Sequence, residues 1–300
     1  MDNSSLQFIN LDSIETRYSE LSSSILRTPT TKLSSPLLSD LIKESEIYLK
    51  LECFQHSGTF KARGALSVTK QIIKENKKFG ITAASAGNHA IAAAWAAKVE
   101  KLSAKVVMQT SANPYRISLA KTYGAEIIMK EGGLAAFAEA DRLMREENRT
   151  FIHPFDGIDT TLGSAGVGLE LIEDYSDLDA VVVAVGGGGL ISGVAAAVKL
   201  KNNNCKIYGV EPIGANSMAQ SIKVGKPITL NSIDTIADSL APPMALPFSY
   251  SVCKKFVDEF VAVTDNQICA GLSLLQEEGK LAVEPAAGAV VAGAIWPLRK

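Results

Sequence analysis

Three short stretches of the 300-residue chain combine residue types that can do chemistry. In the first, Ser57-Gly58-Thr59-Phe60-Lys61-Ala62-Arg63-Gly64-Ala65, Thr59 reads as a helix N-cap and puts Lys61 in the first helical turn. That end of a helix is positive and disfavours an ammonium. Burial disfavours the charge as well, so the amine can sit neutral and nucleophilic. In the second, Ser85-Ala86-Gly87-Asn88-His89, small residues open an alanine-rich helix. Backbone N–H groups in such a turn form a nest suited to a carboxylate, and Asn88 adds a side-chain donor and acceptor. Ser and Asn are also ordinary helix caps, so this loop alone is weak. The third is Gly186-Gly187-Gly188-Gly189, followed by Leu190. Glycines at a strand-to-helix junction let the backbone approach a phosphate, which the helix N-terminus favours. No Lys-Ser or Lys-Thr follows, which excludes the nucleotide P-loop, and no third glycine completes a dinucleotide fingerprint. Glu211 nevertheless stands where a ribose-binding acid would, which keeps a nicotinamide-dependent oxidoreductase as a lesser alternative.

These loops need a scaffold that presents them. Short apolar runs alternate with helical patterns along the chain. Strands are predicted at Ile47–Leu51, Gly80–Ala84, Ala104–Met108, Glu126–Met129, Ala180–Val185, Lys206–Val210 and Phe260–Val263. Helices are predicted at Phe60–Ile73, Asn88–Lys98, Pro114–Tyr123, Leu134–Glu146, Gly166–Asp174, Leu190–Leu200 and Asp265–Glu277. Alternation of this kind implies an α/β fold with parallel sheets covered on both faces, and binding loops at the carboxyl ends of the strands.

Composition excludes several classes. Hydrophobic residues make up 47% and charged residues 21%, with a net charge of -2, so there is no basic surface for nucleic acid. The N-terminus has no basic segment followed by an apolar one, which argues against a signal peptide and for a cytoplasmic protein. The uncharged stretch Ala180–Val198 is long enough for a membrane span, but four consecutive glycines in its middle would break the helix. Cys53, Cys205, Cys253 and Cys269 form no C-x-x-C pair, and His56, His89 and His153 are isolated in sequence, so neither a disulfide framework nor a zinc site is expected. Each cysteine reads as a buried small hydrophobe.

Taken together, S-G-T-F-K-A-R-G-A at Ser57–Ala65, S-A-G-N-H-A at Ser85–Ala90 and G-G-G-G-L at Gly186–Leu190 resemble the fold-type II pyridoxal-phosphate (PLP) enzymes, specifically their threonine/serine dehydratase and serine racemase branch. The resemblance runs from about Leu26 to the end of the chain. It implies a tryptophan-synthase-β-like pair of α/β subdomains with PLP in the cleft. The small mobile domain would be residues 54–148, and the large one residues 1–53 plus 149–300. It implies that Lys61 holds PLP as a Schiff base and then removes the Cα proton. Phe60 would pack on the ring and Asn88 would bond the ring hydroxyl. Ser85, Ala86, Gly87, Asn88 and His89 would grip the substrate carboxylate. Gly186–Gly189 and Leu190 would cradle the phosphate, which would protonate the departing hydroxyl, and Glu284 is a further cofactor-binding candidate. The implied reaction is β-elimination of L-threonine or L-serine to a 2-oxo acid and ammonia, in a homodimer. The alternatives are a serine racemase and a 3-hydroxyaspartate dehydratase.

Four departures qualify the match. Racemases of this branch carry a serine where this chain has Ala86, which predicts elimination without efficient racemisation. Nothing after Ala286 supplies the branch's partner for the pyridine nitrogen. Glu211 and Ala215 match two positions of a racemase-type divalent-cation site, but Ser217 occupies the position of its aspartate, so Glu211 reads as a structural group. Ser239 and the run Gly163-Ser164-Ala165-Gly166 also differ from the branch and are expected to reshape the pocket.

Overall fold

A computed structural model describes residues 3–34, 36–42, 45–77 and 79–298. The chain divides into two compact units. One comprises Met1–Leu11, Pro29–Leu51 and Val167–Lys300, and the other Asp12–Thr28 and Glu52–Gly166.

In chain order the helices are α1 (Leu11–Leu21), α2 (Pro36–Ile42), α3 (Lys61–Lys74), α4 (Asn88–Val99), α5 (Pro114–Thr122), α6 (Gly132–Glu147), α7 (Ile158–Asp174), α8 (Gly189–Lys201), α9 (Ser217–Val224), α10 (Pro247–Phe256), α11 (Asp265–Glu277) and α12 (Pro285–Ile295). The strands are β1 (Thr30–Leu33), β2 (Ile47–Lys50), β3 (Ile81–Ala84), β4 (Ala104–Gln109), β5 (Glu126–Lys130), β6 (Thr150–Phe151), β7 (Ala180–Ala184), β8 (Lys206–Pro212) and β9 (Glu259–Val263).

The unit holding Lys61 is built on a parallel sheet in the order β5-β4-β3-β6. Its centre is apolar on both faces: Ile81, Ala83, Val106, Val107 and Met108 are fully buried. That is the pattern of a strand with helices above and below. One covering helix, α4, is buried from His89 to Ala97. Its alanines leave no room-filling side chains, so it packs tightly under the sheet with Leu66 and Ile72 of α3. A helix that is apolar all round belongs in a core. On the opposite face Ala136, Ala140 and Leu143 of α6 pack against Ala84 and Val107.

The other unit carries the parallel sheet β7-β8-β9 and the antiparallel pair β1-β2. Val181, Val183, Ile207, Val210 and Val263 are buried there, and α12 adds Ala289 and Ala292 to the core. The apolar stretch from Ala180 is split into β7, a glycine turn and α8, and among the described residues no helix is long and apolar enough to cross a membrane.

The sequence-based elements agree with these bounds to within a few residues, with specific exceptions. Strands β1 and β6 and helices α1, α2, α9, α10 and α12 were not anticipated. Helix α7 begins at Ile158, eight residues before the expected Gly166. Its early turns contain Gly163, where an added Cβ would lie 2.5 Å from the Arg63 carbonyl oxygen and 2.8 Å from Gly64 Cα. Close crossing of α7 and α3 requires that glycine and outweighs its poor helix propensity of about 1 kcal/mol. The Gly163–Gly166 run therefore serves helix packing: Gly166 faces Tyr18 and Arg63. Of the cysteines, Cys205 and Cys253 are buried, whereas Cys53 is half-buried and Cys269 exposed, so the buried reading fails for these last two.

Candidate functional site

Strands β3 and β6 pair in parallel, Ile81 with Thr150 and Thr82 with Phe151. Their carboxyl ends therefore lie side by side and release two adjacent loops, Ser85–Gly87 and Ile152–Gly157. Such an edge is where an α/β sheet presents ligand-binding groups.

Lys61 stands at the first position of α3, but the cap differs from expectation. The N-cap is Phe60, and Thr59 Oγ1 instead accepts the Lys61 amide at 3.4 Å. The preceding turn is left-handed at both Ser57 (φ 63°) and Gly58 (φ 76°). A non-glycine residue in that region is uncommon and stores strain, as functional turns often do. Ser57 Oγ is buried and meets no hydrogen-bond partner among the described residues. Behind the lysine, the fully buried Arg63 is clamped by Glu52 through two bonds of 2.8 Å. Lys61 Nζ donates to the Pro154 carbonyl oxygen, and it lies 5.2 Å from the centroid of the Phe60 ring.

In the neighbouring loop the cap of α4 is Gly87, with Asn88 the first helical residue, so Asn88 does not serve as a side-chain cap. Ser85 Oγ accepts the Gly87 amide at 3.1 Å. Gly87 is closely covered: an added Cβ would meet the Arg116 guanidinium at 2.9 Å. Ala86 is half-buried and contributes to the core of this unit. His89 is buried, with Nε2 2.8 Å from the Ile152 carbonyl oxygen. Burial first, and then the Lys61 charge, lower its pKa to about 3. His153, which looks isolated in the sequence, is lowered to about 4 by the same two causes in the same order. Its Nδ1 accepts the amides of Phe155 (3.2 Å) and Asp156 (2.9 Å). Two of the three histidines that look isolated in sequence, His89 and His153, thus meet around Lys61. The only local hint was the His153-Pro154 pair following an apolar residue.

In the other unit, the glycine stretch leaves β7 and enters α8 with Gly188 as a left-handed N-cap (φ 92°). Only glycine adopts that conformation without cost. An added Cβ at Gly186 would lie 3.1 Å from both Leu240 Cα and Pro242 Cδ and 3.2 Å from the Ser239 carbonyl oxygen; one at Gly188 would lie 2.8 Å from Met218 Cε. Ser239 thus meets the loop through its backbone. Gly187 and Gly189 are buried and Leu190 is half-buried. A bare-backbone turn at the N-terminus of a 13-residue helix fits a phosphate group. Glu284 is the N-cap of α12.

Glu211 is fully buried, and its two carboxyl oxygens accept the amides of Met218 (2.9 Å) and Ala219 (2.7 Å) at the start of α9. Burial pushes its pKa up to about 8, against the pull of those two amides. This carboxyl is held by a helix, which leaves the nicotinamide reading without its ribose-binding acid. It also makes a poor hard-cation site. The neighbouring Ser217 offers one neutral hydroxyl in place of a second carboxylate. Accordingly, a chelator is expected to leave turnover unchanged, and millimolar magnesium to raise the melting temperature by less than about 1 °C. A rise of several degrees in thermal melts would show that a cation binds after all.

A parallel-sheet α/β protein with a lysine at a strand-edge helix start and a glycine turn shaped for phosphate is the class these features define. The family model for pyridoxal-phosphate dependent enzymes matches residues 21–300, and the chain belongs to that family. Its members use pyridoxal phosphate. The chain is 44% identical over 253 residues to the phenylserine dehydratase of Ralstonia pickettii, covering 84% of this chain and 78% of that protein. It is 38% identical to the L-threonine ammonia-lyase of Thermotoga maritima, covering 87% of this chain and 65% of that protein. Among solved structures, maize serine racemase superposes with a TM-score of 0.91 at 34% identity, covering 95% of this chain and 86% of that chain.

Proposed function

We propose that this enzyme of the dehydratase and racemase branch removes water, then ammonia, from a 3-hydroxy amino acid, with L-threonine and L-serine as substrates. The observation that carries the reading is the setting of Lys61: a primary amine at the start of α3, held by the Pro154 carbonyl and flanked by two imidazoles that stay neutral. When bound, PLP supplies an electron sink for the charge left at Cα.

In this reading Lys61 attaches the cofactor and, once released, takes the proton from substrate Cα. Phe60 packs on the cofactor ring, and Asn88 meets its hydroxyl. The Ser85–His89 turn orients the substrate carboxylate with the Ser85 hydroxyl and the N-terminal end of α4, the Ser85 amide itself being paired with the Val107 carbonyl, while Gly186–Gly189 and Leu190 hold the phosphate. The role of Glu284 stays with the same proposal. So does a homodimer, which rests on the resemblance, and so does a cytoplasmic location, which rests on the scattered cysteines. Ala86 offers no group to deliver a proton to the second face of Cα, so racemisation is expected to be minor.

A second reading is a 3-aryl substrate such as 3-phenylserine. Its support is the R. pickettii relative together with a run of rings near Lys61. His153 packs edge-to-face between Phe151 (centroids 5.7 Å apart) and Phe155 (4.6 Å). A 2-oxo acid assay over L-threonine, L-serine, 3-hydroxyaspartate and 3-phenylserine, with chiral analysis of residual serine, separates these readings. Oxo acid from threonine or serine with little D-serine is expected. Turnover confined to phenylserine would favour the second reading, and abundant D-serine would overturn the assignment of Ala86.

A further inference from the structure

Three contacts converge on the short segment Ile152–Pro154, and the proposed roles above do not use two of them. His89 holds the Ile152 carbonyl at 2.8 Å. The His153 ring folds back onto its own chain and accepts the amides of Phe155 and Asp156 at 3.2 and 2.9 Å. The Pro154 carbonyl, inside that turn, receives Lys61 Nζ.

The protonation states follow from these partners. A carbonyl only accepts, so a neutral His89 must carry its proton on Nε2. A His153 Nδ1 that accepts two amides must leave the proton of its neutral ring on Nε2. The pKa values of about 3 and about 4 keep both rings in these forms at ordinary pH. Pro154 adds stiffness, because its ring fixes φ and it has no amide of its own. The edge-to-face contacts with Phe151 and Phe155 hold the His153 ring in place.

We propose that His153 is a positioning residue for Lys61: by accepting two backbone amides it sets the turn at Pro154, whose carbonyl aims and steadies the amine. The proposal rests on the reading that Lys61 is the reactive amine. A carbonyl acceptor does two things for such a group. It orients the nitrogen by binding one N–H, which turns the lone pair away from the carbonyl. It also favours the form with the extra proton, which helps the amine receive one from Cα. A shift of the turn by about 1 Å would loosen both effects and can cost on the order of 100-fold in rate.

Two substitutions separate this role from simple packing. His153→Phe keeps a ring between Phe151 and Phe155 but removes the acceptor. His153→Asn loses the ring but retains an oxygen that can accept amides two and three residues on, as in an Asx turn. The full-length enzyme loaded with PLP is used throughout. Both variants should show the cofactor's visible absorbance. His153→Phe should lose roughly 10- to 100-fold in kcat with KM within about twofold, and His153→Asn should stay within about threefold of the parent. If His153→Phe turns over like the parent, or both variants fall equally while loaded, the acceptor is not what matters and the proposal is overturned. If the parent enzyme shows no absorbance band that borohydride removes, the reading of Lys61 fails instead.

Discussion

Lys61→Ala is expected to reduce kcat for deamination by more than about 1,000-fold, since both the covalent attachment and the proton acceptor are lost. The loss corresponds to at least about 4 kcal/mol of transition-state stabilisation. The fold should survive, because the side chain is only half-buried and lies outside the apolar core cluster of its unit. Lys61→Arg should be as inactive: a guanidinium keeps the charge but is permanently protonated and too weak a nucleophile for the attachment. The check is steady-state 2-oxo acid production at saturating substrate, with circular dichroism to confirm folding. A Lys61→Ala enzyme within tenfold of the parent would place the chemistry elsewhere.

Glu52→Ala should be the most damaging substitution to stability outside the apolar core. Arg63 has no exposure, and Glu52 meets it with both carboxyl oxygens at 2.8 Å. Thr28 Oγ1 donates to Glu52 Oε1 at 2.5 Å, and Arg63 also reaches the Leu26 carbonyl at 3.2 Å. Removing the acid takes the carboxylate away from a buried guanidinium, which typically costs about 3–5 kcal/mol. A drop in melting temperature of about 10 °C is expected at roughly 2–4 °C per kcal/mol. The double variant Glu52→Ala/Arg63→Leu should recover part of the loss, because no charge is then stranded. A single-variant loss of under about 1 °C would mean that the pair is energetically neutral. Because Arg63 sits two residues after Lys61 in α3, the same variant should also lose activity per folded molecule.

Much of the scaffold was legible because buried parallel strands read as continuous apolar runs. Val181–Val185 and Val106–Met108 have no other sensible place. The elements that escaped have physical reasons. Strand β1, Thr30–Leu33, is mostly polar and partly exposed, and β6 has only two residues. Helix α12 is apolar throughout and shows no helical period. Helix α7 carries glycines that oppose helix formation locally, and contact with α3 overrides them. The cap was misplaced by one residue because Thr59 is a good capping type, whereas the left-handed Ser57-Gly58 turn fixes the helix start.

The site divides in the same way. Lys61, Ser85–His89 and Gly186–Gly189 announce themselves by residue type and local spacing. His153 does not: its two acceptor bonds are local, but their significance comes from Lys61 Nζ reaching Pro154, 93 residues along the chain. Glu211 was legible by elimination: its spacing suits a ribose or a cation, but Ser217 in place of an aspartate made it read as a structural group, and its oxygens cap α9. Contacts of that kind depend on strand order, which single-residue patterns do not encode.

The most direct test of the central claim is to reduce the PLP-loaded enzyme with borohydride, digest it and locate the pyridoxyl mass by peptide mass spectrometry. A single modified peptide with the label on Lys61 is the expected result. A label on any other lysine, or none at all in protein that deaminates hydroxy amino acids, would contradict the assignment of this amine.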